Sequence, residues 1–258
     1  MIRIKFSMCL ETVFAETGFY ERFQPVKDLG LDAAEFWEPE KYDAKKIGAV
    51  SAKSGLPVLS HCIFDARNTT LNSEWERLEA NIKKTVEFGE EAGCGNFIGL
   101  AGNVTNKADS QKMIITENLK RAAEICEKKG VNLFVEALNS VEDHLGYYLD
   151  SSYIGFEIIK TVNSPRVKLL YDIYHMQLME GNIVNNLINN VKLVGHIHSA
   201  GVPGRKEPHT GELNYPFVVE KLAGAGYAGH FGFEYFPSYG SRESIRDVMD
   251  YIRGSRGA

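Results

Sequence analysis

Ser73–Leu100, SEWERLEANIKKTVEFGEEAGCGNFIGL, contains one complete architectural unit. Leu78, Ile82 and Val86 recur at helical spacing with Phe88 near the edge of their stripe, while Glu and Lys fill the opposite face. Gly93 follows where helices commonly end. Asn96–Leu100 is then a short apolar run of the kind that forms a buried parallel strand.

The same alternation extends in both directions. Apolar, β-branched or aromatic runs occur at Ile2–Met8, Ala33–Trp37, Pro57–His61, Asn96–Leu100, Asn132–Glu136, Val167–Asp172, Lys192–His198 and Gly229–Tyr235. Their starts, from 2 to 229, cover 227 residues in seven steps, a mean of about 32 and the length of one strand–helix unit. Ser110–Lys129 predicts another amphipathic helix, with Ile114, Leu119, Ala122, Ala123 and Ile125 against Lys120, Arg121 and Glu124, and Gly130 behind it. Eight alternations without a linker or composition break predict an α/β fold, one (β/α)8 TIM barrel over residues 1–258. A doubly wound sheet would usually carry a glycine-rich first turn, and neither GxGxxG nor GxxxxGK[ST] is present. The tail GSRGA (254–258) lacks an apolar anchor and reads as disordered.

Composition narrows the function classes. The 258 residues include 29 basic and 34 acidic side chains, a net charge of −5, with 44% hydrophobic and 24% charged residues. These values exclude a disordered chain or a disulfide scaffold. The acidic balance weighs against a nucleic-acid partner, which needs a basic patch to neutralise phosphates. The apolar stretches, such as Phe97–Gly102, fall far short of the roughly 20 residues of a membrane span, and MIRIKFSM alternates like a strand rather than a signal peptide. Cys9, Cys62, Cys94 and Cys126 are widely spaced and read as reduced, buried thiols. The expectation is a cytoplasmic protein without membrane or nucleic-acid partners.

A barrel of this kind builds its active site at the C-terminal ends of its strands. FVE ends at Glu136, LLYD at Asp172, GHIH at His198 and GFE at Glu234, so four consecutive strands each bring a metal-competent side chain to one rim. Three carboxylates and one imidazole suit a divalent Mn²⁺, Mg²⁺ or Co²⁺ with positions open to substrate oxygens. For any one of the four, helix capping or ordinary charge pairing is the competing reading. His61 ends the third strand and is expected to face the same mouth; Trp37, Glu38 and Phe64 would wall it. Asn139 and His144, in the loop after Glu136, could orient ligands or be solvated. His196 lies two residues before His198, deeper in the barrel, and reads as structural. Arg205-Lys206-Glu207 forms a polar loop, either a solvated turn or a cover over the substrate. Gly240, Ser241 and Arg242 read as a helix start or a phosphate site, and the former favours an unphosphorylated substrate.

Several strings carry a family resemblance: FVEALN (134–139), YDIYHMQLMEG (171–181), GHIH (195–198), EPHTGELNY (207–215) and FEYFP (233–237). With them the chain resembles the sugar isomerase/epimerase barrels related to xylose isomerase, and most closely the hydroxypyruvate isomerase group. The resemblance implies a divalent metal held by Glu136, Asp172, His198 and Glu234. It implies that Glu136 and Glu234 face opposite sides of the substrate and move a proton through a cis-enediolate. His175 is similar to a histidine that contacts substrate oxygen, Arg205 to an arginine that does the same, and Glu142 to a substrate-contacting glutamate of ketose 3-epimerases. Hydroxypyruvate isomerases carry glutamine where this chain has His198, whereas 3-epimerases carry histidine. The implied activity is interconversion of a small hydroxy-aldehyde with a ketose or keto acid, with ketose 3-epimerisation as the alternative. A DNA-repair endonuclease, also found in this superfamily, would need a histidine-rich multi-zinc site and a basic groove. The resemblance further implies a homo-oligomer.

Overall fold

The computed structural model describes residues 3–254. Ile2 of the first predicted strand and residues 255–258 of the tail lie outside the described residues. Eight parallel strands close in sequence order: β1 (Lys5–Cys9), β2 (Ala33–Phe36), β3 (Val58–Cys62), β4 (Asn96–Leu100), β5 (Asn132–Ala137), β6 (Val167–Asp172), β7 (Val194–Ser199) and β8 (His230–Phe233). Around them run α1 (Phe23–Asp28), α2 (Ala44–Ser54), α3 (Trp75–Ala92), α4 (Asp109–Lys129), α5 (Ser152–Val162), α6 (Ile173–Met179), α7 (Ile183–Asn189), α8 (Tyr215–Gly224) and α9 (Ser241–Gly254). The predicted barrel is therefore the observed one.

The helices form where the apolar stripe meets the barrel. α3 buries Leu78, Ile82, Val86 and Phe88, and ends at Gly93 with φ 75°, a left-handed turn that a side chain would strain. In α4 the buried stripe runs through Ile115, Leu119, Ala122 and Cys126. Ile114 departs from its expected place: it is 42% exposed, because the 3.6-residue period selects Ile115 instead.

Each strand alternates between two cores. The larger lies between the strands and the helices and includes Phe36, Phe97, Leu133 and Ile197. The smaller fills the barrel axis with Cys62, Ile98, Phe134 and Leu170. Polar side chains sit above this inner layer because parity places Glu136 two residues beyond Phe134 and Asp172 two beyond Leu170. Among the described residues, no helix is long and apolar enough to cross a membrane.

Candidate active site

Glu136 on β5, Asp172 ending β6, His198 on β7 and Glu234 just past β8 converge at the barrel mouth. Lateral register brings them together: Asp172 pairs with His198, and His198 with Gly232. One donor atom from each of the four lies within 4.8 Å of the others. All four residues are buried. His198 Nδ1 is 3.5 Å from Glu136 Oε1 and 3.7 Å from Glu234 Oε1.

The cluster crowds three buried carboxylates around one imidazole. Burial and the neighbouring Glu234 carboxylate push the Asp172 carboxyl up to about 7, against the opposing pull of Arg205. Burial disfavours a charged His198, but Glu234 and Glu35 outweigh it and hold the imidazole well above its ordinary range. His198 Nδ1 and Glu136 Oε1 are buried without a hydrogen-bond partner. Such orphaned atoms are costly unless a ligand satisfies them. Three hard carboxylates, one imidazole and two unpartnered donor atoms fit a divalent ion with oxygen-rich coordination.

Asp172 and Glu234 also make contacts outside the cluster. Asp172 Oδ1 accepts hydrogen bonds from Tyr174 N at 2.8 Å and His175 N at 3.4 Å, capping α6. Its capping and its place in the cluster coexist, since Oδ2 is directed elsewhere, 3.6 Å from His175 Nε2. Glu234 is held on both oxygens: Trp37 Nε1 donates to Oε1 at 2.5 Å, and Arg205 Nη2 pairs with Oε2.

Arg205 reaches this position from the loop after β7, with a left-handed φ of 53°. Its guanidinium lies 5.4 Å from the centre of the Tyr174 ring and 5.9 Å from that of Phe236. Nearby, Glu207 is fully buried rather than solvated, accepting from Ser238 N, Ser238 Oγ and Ser244 Oγ. The loop is thus anchored to the start of α9, and Arg205 is already directed into the mouth.

A cavity of about 670 Å³ opens above the cluster. Trp37 and Glu38 line it, as expected, together with Cys62, Asp143, His144, Arg205, Glu136 and Glu234. His175 is buried beside Asp172, and Asn139 Nδ2 lies 2.7 Å from its Nδ1. With the amide as donor, Nδ1 accepts and the proton resides on Nε2. Burial, then the positive charge of Arg205, pushes this imidazole well below its ordinary range and holds it neutral. Asn139 thereby acts on a site residue rather than standing in solvent.

Other expected residues lie elsewhere. His61 does not face the mouth. Ser60 and Cys62 take the inward positions of β3, so His61 points toward the helices, with ring centroids 5.2 Å from Phe36 and 5.1 Å from both Phe88 and Phe97. Its Nδ1 lies 2.9 Å from Cys62 O, and burial pulls its ordinary pKa down to about 4. Phe64 packs on Phe88 outside the cavity, with ring centroids 5.5 Å apart. Glu142 is exposed on its loop, and the adjacent Asp143 takes the place at the cavity wall. Ser241 Oγ accepts from Phe14 N at 2.8 Å, so it secures the start of α9 and belongs to a separate groove with Gly240 and Arg242.

Glu35 is a site residue that the strand-end pattern does not single out. It is 2% exposed and lies beneath His198, with Oε2 2.8 Å from His196 Nε2 and 3.1 Å from His198 Nε2. The available signal was an acid inside the apolar run AAEFW, in phase with the pocket residue Trp37.

A family model described as "Xylose isomerase-like TIM barrel" matches residues 23–254. The chain belongs to this family. It is 30% identical to the 2-oxo-tetronate isomerase of Cupriavidus necator, over 96% of this chain and 98% of that protein. It is 27% identical to the hydroxypyruvate isomerase of Escherichia coli (strain K12), over 96% and 99% of the two chains. Among solved structures, the family 2 AP endonuclease from Brucella melitensis matches with a TM-score of 0.90 at 26% identity, covering 96% and 99% of the two chains. As a member of this xylose isomerase-like family with curated isomerase relatives along almost its whole length, the protein is an isomerase.

Proposed function

We propose that the protein is a metal-dependent isomerase of small hydroxy-keto acids, with hydroxypyruvate or a 2-oxo-tetronate as substrate. The convergence of Glu136, Asp172, His198 and Glu234 around unpartnered donor atoms carries this reading. These four residues would hold Mn²⁺, Mg²⁺ or Co²⁺. When bound, such an ion polarises the substrate's carbonyl and neighbouring hydroxyl and offsets the negative charge of an enediolate, contributing several kcal/mol.

The chain's own groups supply the proton transfer. A carboxylate at the mouth takes the proton from the carbon beside the carbonyl, giving a cis-enediolate. Return of that proton to the adjacent carbon by the same group, with the hydroxyl proton passing from one enediolate oxygen to the other, gives the isomer. Glu136 and Glu234 are the two carboxylates available for this role, and Trp37 and Arg205 fix the orientation of Glu234. Arg205 Nε is buried and unpartnered, so it can donate to an anionic substrate oxygen. His175, neutral and buried beside Asp172, offers a second polar contact.

Ketose 3-epimerisation is the second reading, favoured by a pair of glutamates that could serve opposite faces and by histidine at position 198. In that case the first carboxylate keeps the proton it took, and the opposite group, protonated, delivers its own to the other face of the original carbon. One experiment decides between them: incubation in D₂O with Mn²⁺, Mg²⁺ or Co²⁺ and hydroxypyruvate, 2-oxo-tetronate, fructose or tagatose, followed by NMR. Isomerisation of an acid with deuterium at one carbon is the expected result. Epimerisation of the ketoses alone would favour the second reading, and neither conversion nor exchange with any substrate and ion would reject both.

A further inference from the structure

Beneath the mouth lies a second buried group, Glu35, His196 and His198, whose donor atoms also fall within 4.8 Å of one another. All three contacts of Glu35 fall on one oxygen: Oε2 accepts from Ser60 Oγ at 2.5 Å and lies 2.8 Å from His196 Nε2 and 3.1 Å from His198 Nε2. An ionised carboxylate only accepts, so both imidazoles present an Nε2 proton to it. The ring of His198 is therefore pinned from below. Its opposite nitrogen, Nδ1, faces Glu136 and Glu234 without a hydrogen-bond partner.

The backbone accommodates this arrangement at Gly232. A Cβ there would lie 2.7 Å from Glu35 Oε1 and 2.8 Å from His198 Cδ2, closer than a side chain can approach without displacing them. The barrel thus leaves a gap on β8 that the carboxylate and imidazole fill.

We propose that Glu35 is a positioning residue: it holds the Nε2 proton of His198 and thereby commits Nδ1 to the ion. This rests on the ion site proposed above. Carboxylates that accept from the far nitrogen of a ligating histidine fix its tautomer and orientation, and losing one typically weakens metal binding about 10–100-fold. Glu35 is not among the residues that line the cavity, so it acts through His198. The alternative use of the same atoms, a second ion among Glu35, His196 and His198, would require the Nε2 atoms to be unprotonated.

The test combines two readouts on the full chain. Mn²⁺ titration followed by the EPR signal of the free ion gives affinity and stoichiometry. ¹⁵N NMR of the Zn²⁺-saturated protein gives the protonation of each imidazole nitrogen. Wild type is expected to bind one ion per chain, with Nε2 of His198 protonated and Nδ1 coordinated. Glu35→Ala should bind Mn²⁺ about 10–100-fold more weakly, and Glu35→Gln, which keeps an acceptor, should recover part of that loss. One ion per chain with Nε2 as the His198 ligand would overturn the inference while leaving the ion site standing. So would a folded Glu35→Ala that binds as tightly as wild type, or a second ion on His196. A folded wild type that binds no ion would remove the site and the inference together. Should Glu35→Ala fail to fold, the wild-type NMR and the Glu35→Gln titration still decide.

Discussion

The barrel mouth and the aromatic layer behind β3 each bury a histidine near the C-terminal end of a strand, and the two regions treat it in opposite ways. His198 faces Glu136, Glu234 and Glu35, whose charges outweigh burial and raise its pKa. His61 packs among Phe36, Phe88 and Phe97, where burial pulls its pKa down to about 4. Both rings are almost wholly removed from water. Dryness alone therefore does not make a site. The side of the strand decides which neighbours arrive, and the neighbours decide in which direction the desolvated ring's pKa moves.

The sharpest break of this contrast comes from removing charge at the mouth alone. Glu136→Gln and Glu234→Gln are each expected to lower kcat by about 10²–10⁴-fold, the usual range for a general acid or base. Circular dichroism should show the fold retained, since the substitution relieves like-charge crowding. Near-normal turnover in either variant would take that residue out of the proton-transfer role.

A second pair of variants reads the two regions through pH, with opposite signs. The folded His61 value of about 4 is below its ordinary 6.5, so its contribution to stability is present above 6.5 and lost as pH falls toward 4. His61→Phe should remove on the order of 2 kcal/mol of the stability loss between pH 7 and pH 5, measured by urea unfolding. Asp172 runs the other way. Its folded value of about 7 is above its ordinary 3.8, so its contribution is present at low pH and lost as pH rises through 7. In EDTA, Asp172→Asn should therefore gain stability relative to wild type as pH rises from 5 to 8. A common slope for the two variants would contradict the contrast.

The smallest effect separates two neighbours on one loop. Glu142→Ala is expected to change kcat/KM less than about twofold, as a surface substitution away from contacts. Asp143→Ala, at the cavity wall, should raise KM several-fold with a smaller change in kcat, as the loss of a binding contact does. Steady-state kinetics of both variants on the same substrate sharpen the boundary of the site.

Much of the site was legible because the strand ends are marked in the chain itself. Glu136, Asp172, His198 and Glu234 each follow a short apolar run, and a closed parallel barrel brings such ends to one rim. His61 and Glu142 show where this logic stops. His61 also ends an apolar run, but a one-residue difference in phase sends it to the other side of the strand, and the sequence does not state that phase. Glu142 and Asp143 are adjacent acids in a loop without periodicity, so only the loop's folded path distinguishes them.

Strand and helix periods, together with the positions of four rim residues, follow from the order of side chains along the chain, because those patterns are local. The partnership of Glu35 with His196 and His198 spans 161 and 163 residues and is closed by the space above Gly232. Tertiary structure alone decides it: hydrogen bonding and close packing act between surfaces that meet only when the barrel closes.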